Sequence, residues 1–105
     1  MEFKQALIRQ IKDELTFQQA ENEKGDQNYL DASEYHTHFV LKLNDWADKY
    51  PNFIDVLLDQ HIQQEEEVFG DDTTQFNLTQ QEKGRIYSLV RCRHMKRIAN
   101  EELNQ

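Results

Sequence analysis

The sequence predicts an all-α fold, a single-domain four-helix bundle. Three observations lead to this class. Apolar residues recur at the 3.6-residue period of a helix. The chain breakers, one Pro and three Gly, fall between the periodic segments. The length of 105 residues suits one domain with one core. We predict helices at roughly 2–22, 31–50, 52–69 and 79–101, joined by short loops, with neighbours antiparallel.

The first predicted helix has one apolar stripe. Phe3, Leu7, Ile11 and Leu15 follow one another at every fourth position, and Ile8 lies beside them. Residues 21–29 contain Gly25, and we predict that they form the loop that follows.

The second predicted helix has signals at both ends. Asp31 is expected to cap its start, with Glu34 three residues later as in a capping box, and Pro51 is expected to end it at Tyr50. Its apolar stripe is rich in aromatic residues and comprises Ala32, Tyr35, Phe39, Leu43, Trp46 and Tyr50.

The third and fourth predicted helices complete the bundle. The third starts at Pro51 or Asn52 and is expected to stop at Gly70, before a loop at 71–77. Its apolar face comprises Ile54, Leu57, Leu58, Ile62, Val68 and Phe69. Thr79 and Glu82 form a predicted capping box for the fourth helix, whose buried face begins with Ile86, Leu89 and Val90.

Composition narrows the class of protein. No apolar run is long enough to cross a bilayer, and the net charge of −8 argues against anionic membranes as partners. Cys92 is alone, which excludes an intrachain disulfide and favours a cytoplasmic protein. Its neighbours Arg91 and Arg93 are expected to lower the pKa of the Cys92 thiol. The sequence contains no nucleophile elbow and no phosphate-binding loop, so we expect neither catalysis nor a cofactor.

Positive charge is concentrated near the end of the chain. Half of the twelve Lys and Arg residues lie within residues 83–97. Such a helix would complement its own dipole, pack on acidic helices of its own chain, or contact a second copy in a homo-oligomer. A further alternative is nucleic-acid binding through a basic surface of Arg91, Lys96 and Arg97.

Polar residues interrupt two apolar faces. His61 and Glu65 lie on the apolar face of the third helix, and Arg93 and Arg97 lie on that of the fourth. Because a lone buried charge is costly, we expect a buried polar cluster of His61, Glu65 and Arg93, with Glu65 paired to Arg93 or Arg97. The alternative is a metal site in which His36 adds a third ligand. That signal is weak because the sequence contains no Glu-x-x-His motif.

Acidic residues on the second and third helices suggest a function. We expect an outward face that carries Leu41, Asp45, Asp48, Asp55, Val56, Asp59, Glu66 and Glu67. Two apolar side chains among carboxylates suit a protein-binding surface. The leading hypothesis is therefore a non-catalytic regulator or inhibitor that presents this face to a basic site on a partner protein.

Overall fold

The part of the chain that the structure describes folds into four packed α-helices. The computed structural model describes residues 2–24, 27–69 and 79–104, and these residues contain no strand. The helices are α1 (Phe3–Glu23), α2 (Gln27–Lys49), α3 (Ile54–Phe69) and α4 (Gln80–Leu103), with a short 3-10 helix at Pro51–Phe53 between α2 and α3. The predicted all-α four-helix bundle is confirmed. None of the helices in the described part of the chain is long and apolar enough to span a membrane.

The start of α2 differs from the prediction. It begins at Gln27, four residues before the expected cap at Asp31, so Asp31 and Glu34 lie inside the helix. Residues 27–30 include neither Gly nor Pro, and nothing in them prevents the helix from starting earlier. The stop expected at Gly70 and the loop expected at 71–77 lie outside the described residues.

Two predicted helix ends have the expected cause. Pro51 begins the 3-10 helix directly after α2, and the Phe53 amide donates to the Tyr50 carbonyl at 3.0 Å. At the start of α4 the Thr79 hydroxyl accepts from the Glu82 amide, and the Thr79 amide donates to the Glu82 carboxylate, both at 3.1 Å. This reciprocal pair satisfies amides that no helical carbonyl can reach.

Contacts between side chains show the relative directions of the helices. Glu65 pairs with Arg85, and Asp59 pairs with Lys96, so α3 and α4 are antiparallel. Equivalent contacts make α1 antiparallel to α2 and to α4. Helices α1, α2 and α4 pack closely on one another, whereas α3 packs mainly on α4 and only sparsely on α2.

The core includes only some of the residues in the predicted apolar stripes. Buried apolar side chains from all four helices form it: Ala6, Leu7, Ile11, Phe39, Leu43, Ala47, Ile54, Leu58, Ile62, Leu89, Cys92, Met95 and Ala99. Tyr50, Val68 and Val90, which were expected to be buried, are exposed. The buried line of α2 runs through His36, Val40 and Leu43, and of the aromatic residues of its stripe only Phe39 is buried.

Two leucines of α2 test this core. Leu43 is fully buried and Leu41 is 45% exposed. We expect Leu43→Ala to lower the free energy of unfolding by about 2–5 kcal/mol, because it removes core contacts and leaves a cavity. Leu41→Ala should change it by less than about 0.5 kcal/mol. Urea unfolding followed by circular dichroism measures both, and equal losses would contradict the assigned orientation of α2.

Candidate functional site

A buried carboxylate joins three helices. Glu14 of α1, only 4% exposed, accepts a hydrogen bond from His36 Nε2 of α2 at 2.8 Å. Arg91 of α4 donates to the same carboxylate from Nε at 2.8 Å and from a second nitrogen. The other ring nitrogen of His36, Nδ1, lies 2.8 Å from the hydroxyl oxygen of Ser88. We call these four residues, Glu14, His36, Ser88 and Arg91, the polar layer.

Hydrogen bonds within the polar layer compensate the buried charge of Glu14. Burial alone would raise the pKa of the Glu14 carboxyl, but the hydrogen bonds from Arg91 and His36 outweigh burial and lower it to about 2. Because a carboxylate only accepts, the proton of His36 lies on Nε2. In neutral His36 the Nδ1 atom then accepts from the Ser88 hydroxyl. Each member therefore supports the geometry of the next.

Further polar contacts surround this layer. The Gln18 amide of α1 donates to the Tyr87 hydroxyl of α4 at 3.0 Å, and the Tyr87 ring lies edge-on to His36 at 5.6 Å. The Ser33 hydroxyl of α2 lies 3.3 Å from the Asn22 side-chain oxygen of α1. Several buried polar side chains therefore lie near Glu14, together with apolar residues such as Leu89.

The polar layer contains the residue types of a hydrolase relay: a serine, a histidine and a carboxylate. However, Ser88 and His36 are completely buried. The Glu14 carboxylate is also engaged by the Arg91 guanidinium. A substrate has no access to the Ser88 hydroxyl in this arrangement. The layer therefore acts in packing and helix orientation.

Cys92 is inert rather than activated. Its side chain is fully buried beside Ser88, and burial raises the pKa of the thiol to about 12. The predicted lowering is wrong because Cys92 faces the core, whereas Arg91 turns toward Glu14 and Arg93 toward Glu66. Adjacent residues on a helix point in different directions, so sequence neighbours do not share an environment.

Glu65 has a different partner from the one predicted. Its carboxylate accepts from Nε and Nη2 of Arg85 at 3.0 and 3.1 Å. Arg93 instead pairs with Glu66 at 3.2 Å, and Arg97 pairs within α4. The expected pairing of Glu65 with Arg93 or Arg97 is wrong because the antiparallel register places the end of α3 beside the start of α4.

His61 does not join that ion pair. Its ring stacks on Phe39 with centroids 3.6 Å apart, and its Nε2 atom is buried without a hydrogen-bond partner among the described residues. Burial lowers the pKa of His61, although Glu65 opposes this, so the ring is neutral at pH 7. The proposed third metal ligand, His36, is bound to Glu14. Within residues 2–24, 27–69 and 79–104, no three His, Cys, Asp or Glu side chains are grouped to hold a metal ion.

Helix packing brings cations of neighbouring helices to part of the expected acidic face. Three of its acids turn toward cations of neighbouring helices: Asp48 pairs with Lys12, Asp59 with Lys96 and Glu66 with Arg93. Asp48 and Asp59 nevertheless stay exposed and Glu66 is partly buried, so an outward acidic face that includes them stays a prediction.

Four of the other five residues of that face are also exposed. Leu41 and Val56 are 45% and 49% exposed. Asp45 and Glu67 are exposed, and Asp45 is paired with Lys49 one turn away. Asp55 accepts from the Val56 amide at 2.9 Å and supports the start of α3. We call Leu41, Asp45, Val56 and Glu67 the hairpin surface.

The alternative basic surface is engaged by the chain itself. Arg91 binds Glu14, Lys96 binds Asp59, and Arg97 lies 3.6 Å from Glu101. Since Arg85 and Arg93 bind carboxylates of α3 as well, the contacts of α4 favour packing on acidic helices as the cause of the charge asymmetry.

An open groove separates α2 from α3. It has a volume of about 230 Å³ and is lined by Tyr35, Phe39, Lys42, Trp46, Leu57, Gln60, His61 and Gln64. We call it the α2–α3 groove. The Lys42 ammonium lies 4.8 Å from the centroid of the Trp46 ring. A neighbouring depression of about 280 Å³ beside His38 shares Tyr35, Phe39 and Lys42 with the groove.

Comparison with known proteins gives no family. No family model matches the chain, and no curated protein or solved structure matches it significantly.

Sequence reasoning missed Glu14 and Gln18. Both are buried, and they continue the line of Leu7 and Ile11 at helical spacing. The apolar series of every fourth residue led instead to Leu15, which is only partly buried. A polar residue on that line was the available signal, because it must find partners on another helix.

Glu14 makes stability depend on pH. Its folded pKa of about 2 lies below the ordinary value of 4.5, so its contribution is present above pH 4.5 and is lost as pH falls toward 2. We expect Glu14→Gln to cost roughly 3 kcal/mol at pH 7 and to remove part of the acid dependence.

The matched control is Glu101→Gln, because Glu101 forms only an exposed pair with Arg97. This variant should keep the acid dependence of the wild type. Urea titrations between pH 7 and pH 2.5 make the comparison. If Glu14→Gln and the wild type lost stability in parallel on acidification, the assigned ionisation of Glu14 would be wrong.

Proposed function

We propose that the protein is a non-catalytic regulator or inhibitor that binds a partner protein through the hairpin surface. The observation that carries this proposal is the distribution of exposed apolar side chains. Among the described residues, five of the eight large exposed ones lie within residues 41–68: Leu41, Tyr50, Phe53, Val56 and Val68. Exposed apolar side chains on the α2–α3 segment are candidates for contact with a partner protein.

Charge indicates the kind of partner. The exposed Asp45 lies one turn from Leu41 on α2, and the exposed Glu67 lies on α3 with Val56, on a protein of net charge −8. A partner with a basic site would be attracted at long range, and apolar contacts would then hold it. Such a mixture of apolar centre and charged surroundings fits a protein better than a nucleic acid, whose phosphates this charge would repel.

Two further features support the same proposal. The serine, histidine and carboxylate of the polar layer are sealed from substrate, which supports a non-catalytic role. Lys96 and Arg91, which the nucleic-acid alternative requires, already bind carboxylates of the chain. A cytoplasmic location belongs to this proposal and is supported by the single cysteine.

Charge reversal tests the hairpin surface. We expect Asp45→Lys with Glu67→Lys to reduce capture of the partner from a nuclease-treated lysate at least tenfold, because it inverts the charge beside the apolar contacts. The control is Asp13→Lys with Glu23→Lys on α1, where both residues are exposed. It changes net charge equally and should leave capture intact.

Three results would contradict the proposal. The first is an equal loss of capture in both variants, and the second is unchanged capture in both. The third is loss of wild-type capture on nuclease treatment alone. The last result would favour nucleic acid as the partner. Raising salt should weaken the wild-type complex, since exposed charges are screened within about 8–10 Å at ordinary ionic strength.

A further inference from the structure

The Trp46 ring already binds a cation. The Lys42 ammonium lies 4.8 Å from the ring centroid, within the range of a cation–π contact. Tyr35 and Phe39 line the same groove, so three aromatic side chains of α2 border the place that Lys42 reaches. The groove is therefore suited to a positively charged group with apolar surroundings.

Lys42 is held there weakly. It is exposed, and no carboxylate pairs with it in the part of the chain that the structure describes. Lys49, two turns further along α2, is instead paired with Asp45 at 3.1 Å. Lys42 also borders both the groove and the neighbouring depression.

The rest of the groove would tolerate a second cation. His61 is neutral at pH 7 and does not repel positive charge. Gln60 and Gln64 of α3 supply amide oxygens that accept from a guanidinium or a peptide amide. The net charge of −8 attracts such a group to the protein.

We propose that the α2–α3 groove binds an arginine side chain of the partner protein, on the face of Trp46 that Lys42 now covers. This inference rests on the proposed function, because the partner is the same basic protein. Lys42 acts as an internal competitor that leaves when the arginine binds. Arginine is favoured over lysine because its planar guanidinium stacks on an aromatic ring and donates to several oxygens at once.

The test uses the only tryptophan of the chain as its probe. The full-length protein is titrated with a short peptide that contains two arginines and with the same peptide carrying neutral citrulline. We expect the arginine peptide to change Trp46 fluorescence saturably and the citrulline peptide to have no effect. Lys42→Ala should tighten binding about three- to tenfold by removing the competitor.

The matched control is Lys49→Ala, which removes the same charge from the same helix but does not free Trp46. It should change affinity less than Lys42→Ala does. Trp46→Leu, measured by calorimetry and checked for folding by circular dichroism, should lose binding. The proposal is overturned if the two lysine variants bind equally, or if citrulline acts like arginine.

The outcome separates this proposal from the proposed function. If capture of the partner depends on Asp45 and Glu67 but the arginine peptide does not bind, the groove proposal fails and the hairpin surface stands. If the peptide binds as expected but capture is insensitive to those two acids, the groove is an arginine site and the hairpin surface is wrong.

Discussion

The fold depends on one buried carboxylate. Glu14 binds His36 and Arg91 at the same time, so a single charge fixes α1, α2 and α4 relative to one another. Removing Arg91 leaves the buried Glu14 carboxylate without its cation, which costs several kcal/mol. With α4 held in this way, Arg85 and Lys96 face α3 and pair with its acids. Four of the six cations in residues 83–97, Arg85, Arg91, Arg93 and Lys96, pair with acids of α1 and α3 in this packing.

Periodicity predicted the helices, and local chemistry predicted two of their ends. Pro51 and Thr79 act through their immediate neighbours, so their effects are readable from sequence alone. The partners of Glu65 and Glu14 were not readable. Both depend on the register between helices, which the period of one helix does not contain. The outward position of Val90 has the same origin, because only neighbouring helices decide which edge of a broad stripe is covered.

The same packing leaves a groove between α2 and α3 open at the surface. Because α3 attaches mainly through α4, its contact with α2 is sparse and a groove remains between them. The aromatic stripe of α2 is wider than the core that covers it, so Trp46 is left at the groove. Asp45 of α2 and Glu67 of α3 also remain exposed. The proposed binding surface is therefore a consequence of how the polar layer orients the bundle.

A double-mutant cycle on Glu14 and Arg91 tests the central claim most directly, with stability measured by urea unfolding for Glu14→Ala, Arg91→Ala and the double variant. If the buried pair joins α1 to α4, each single change should cost about 3–5 kcal/mol. The double variant should then cost less than their sum by about 1.5–3 kcal/mol. Losses that add to within about 0.5 kcal/mol would show that Glu14 and Arg91 act independently, and would contradict the account.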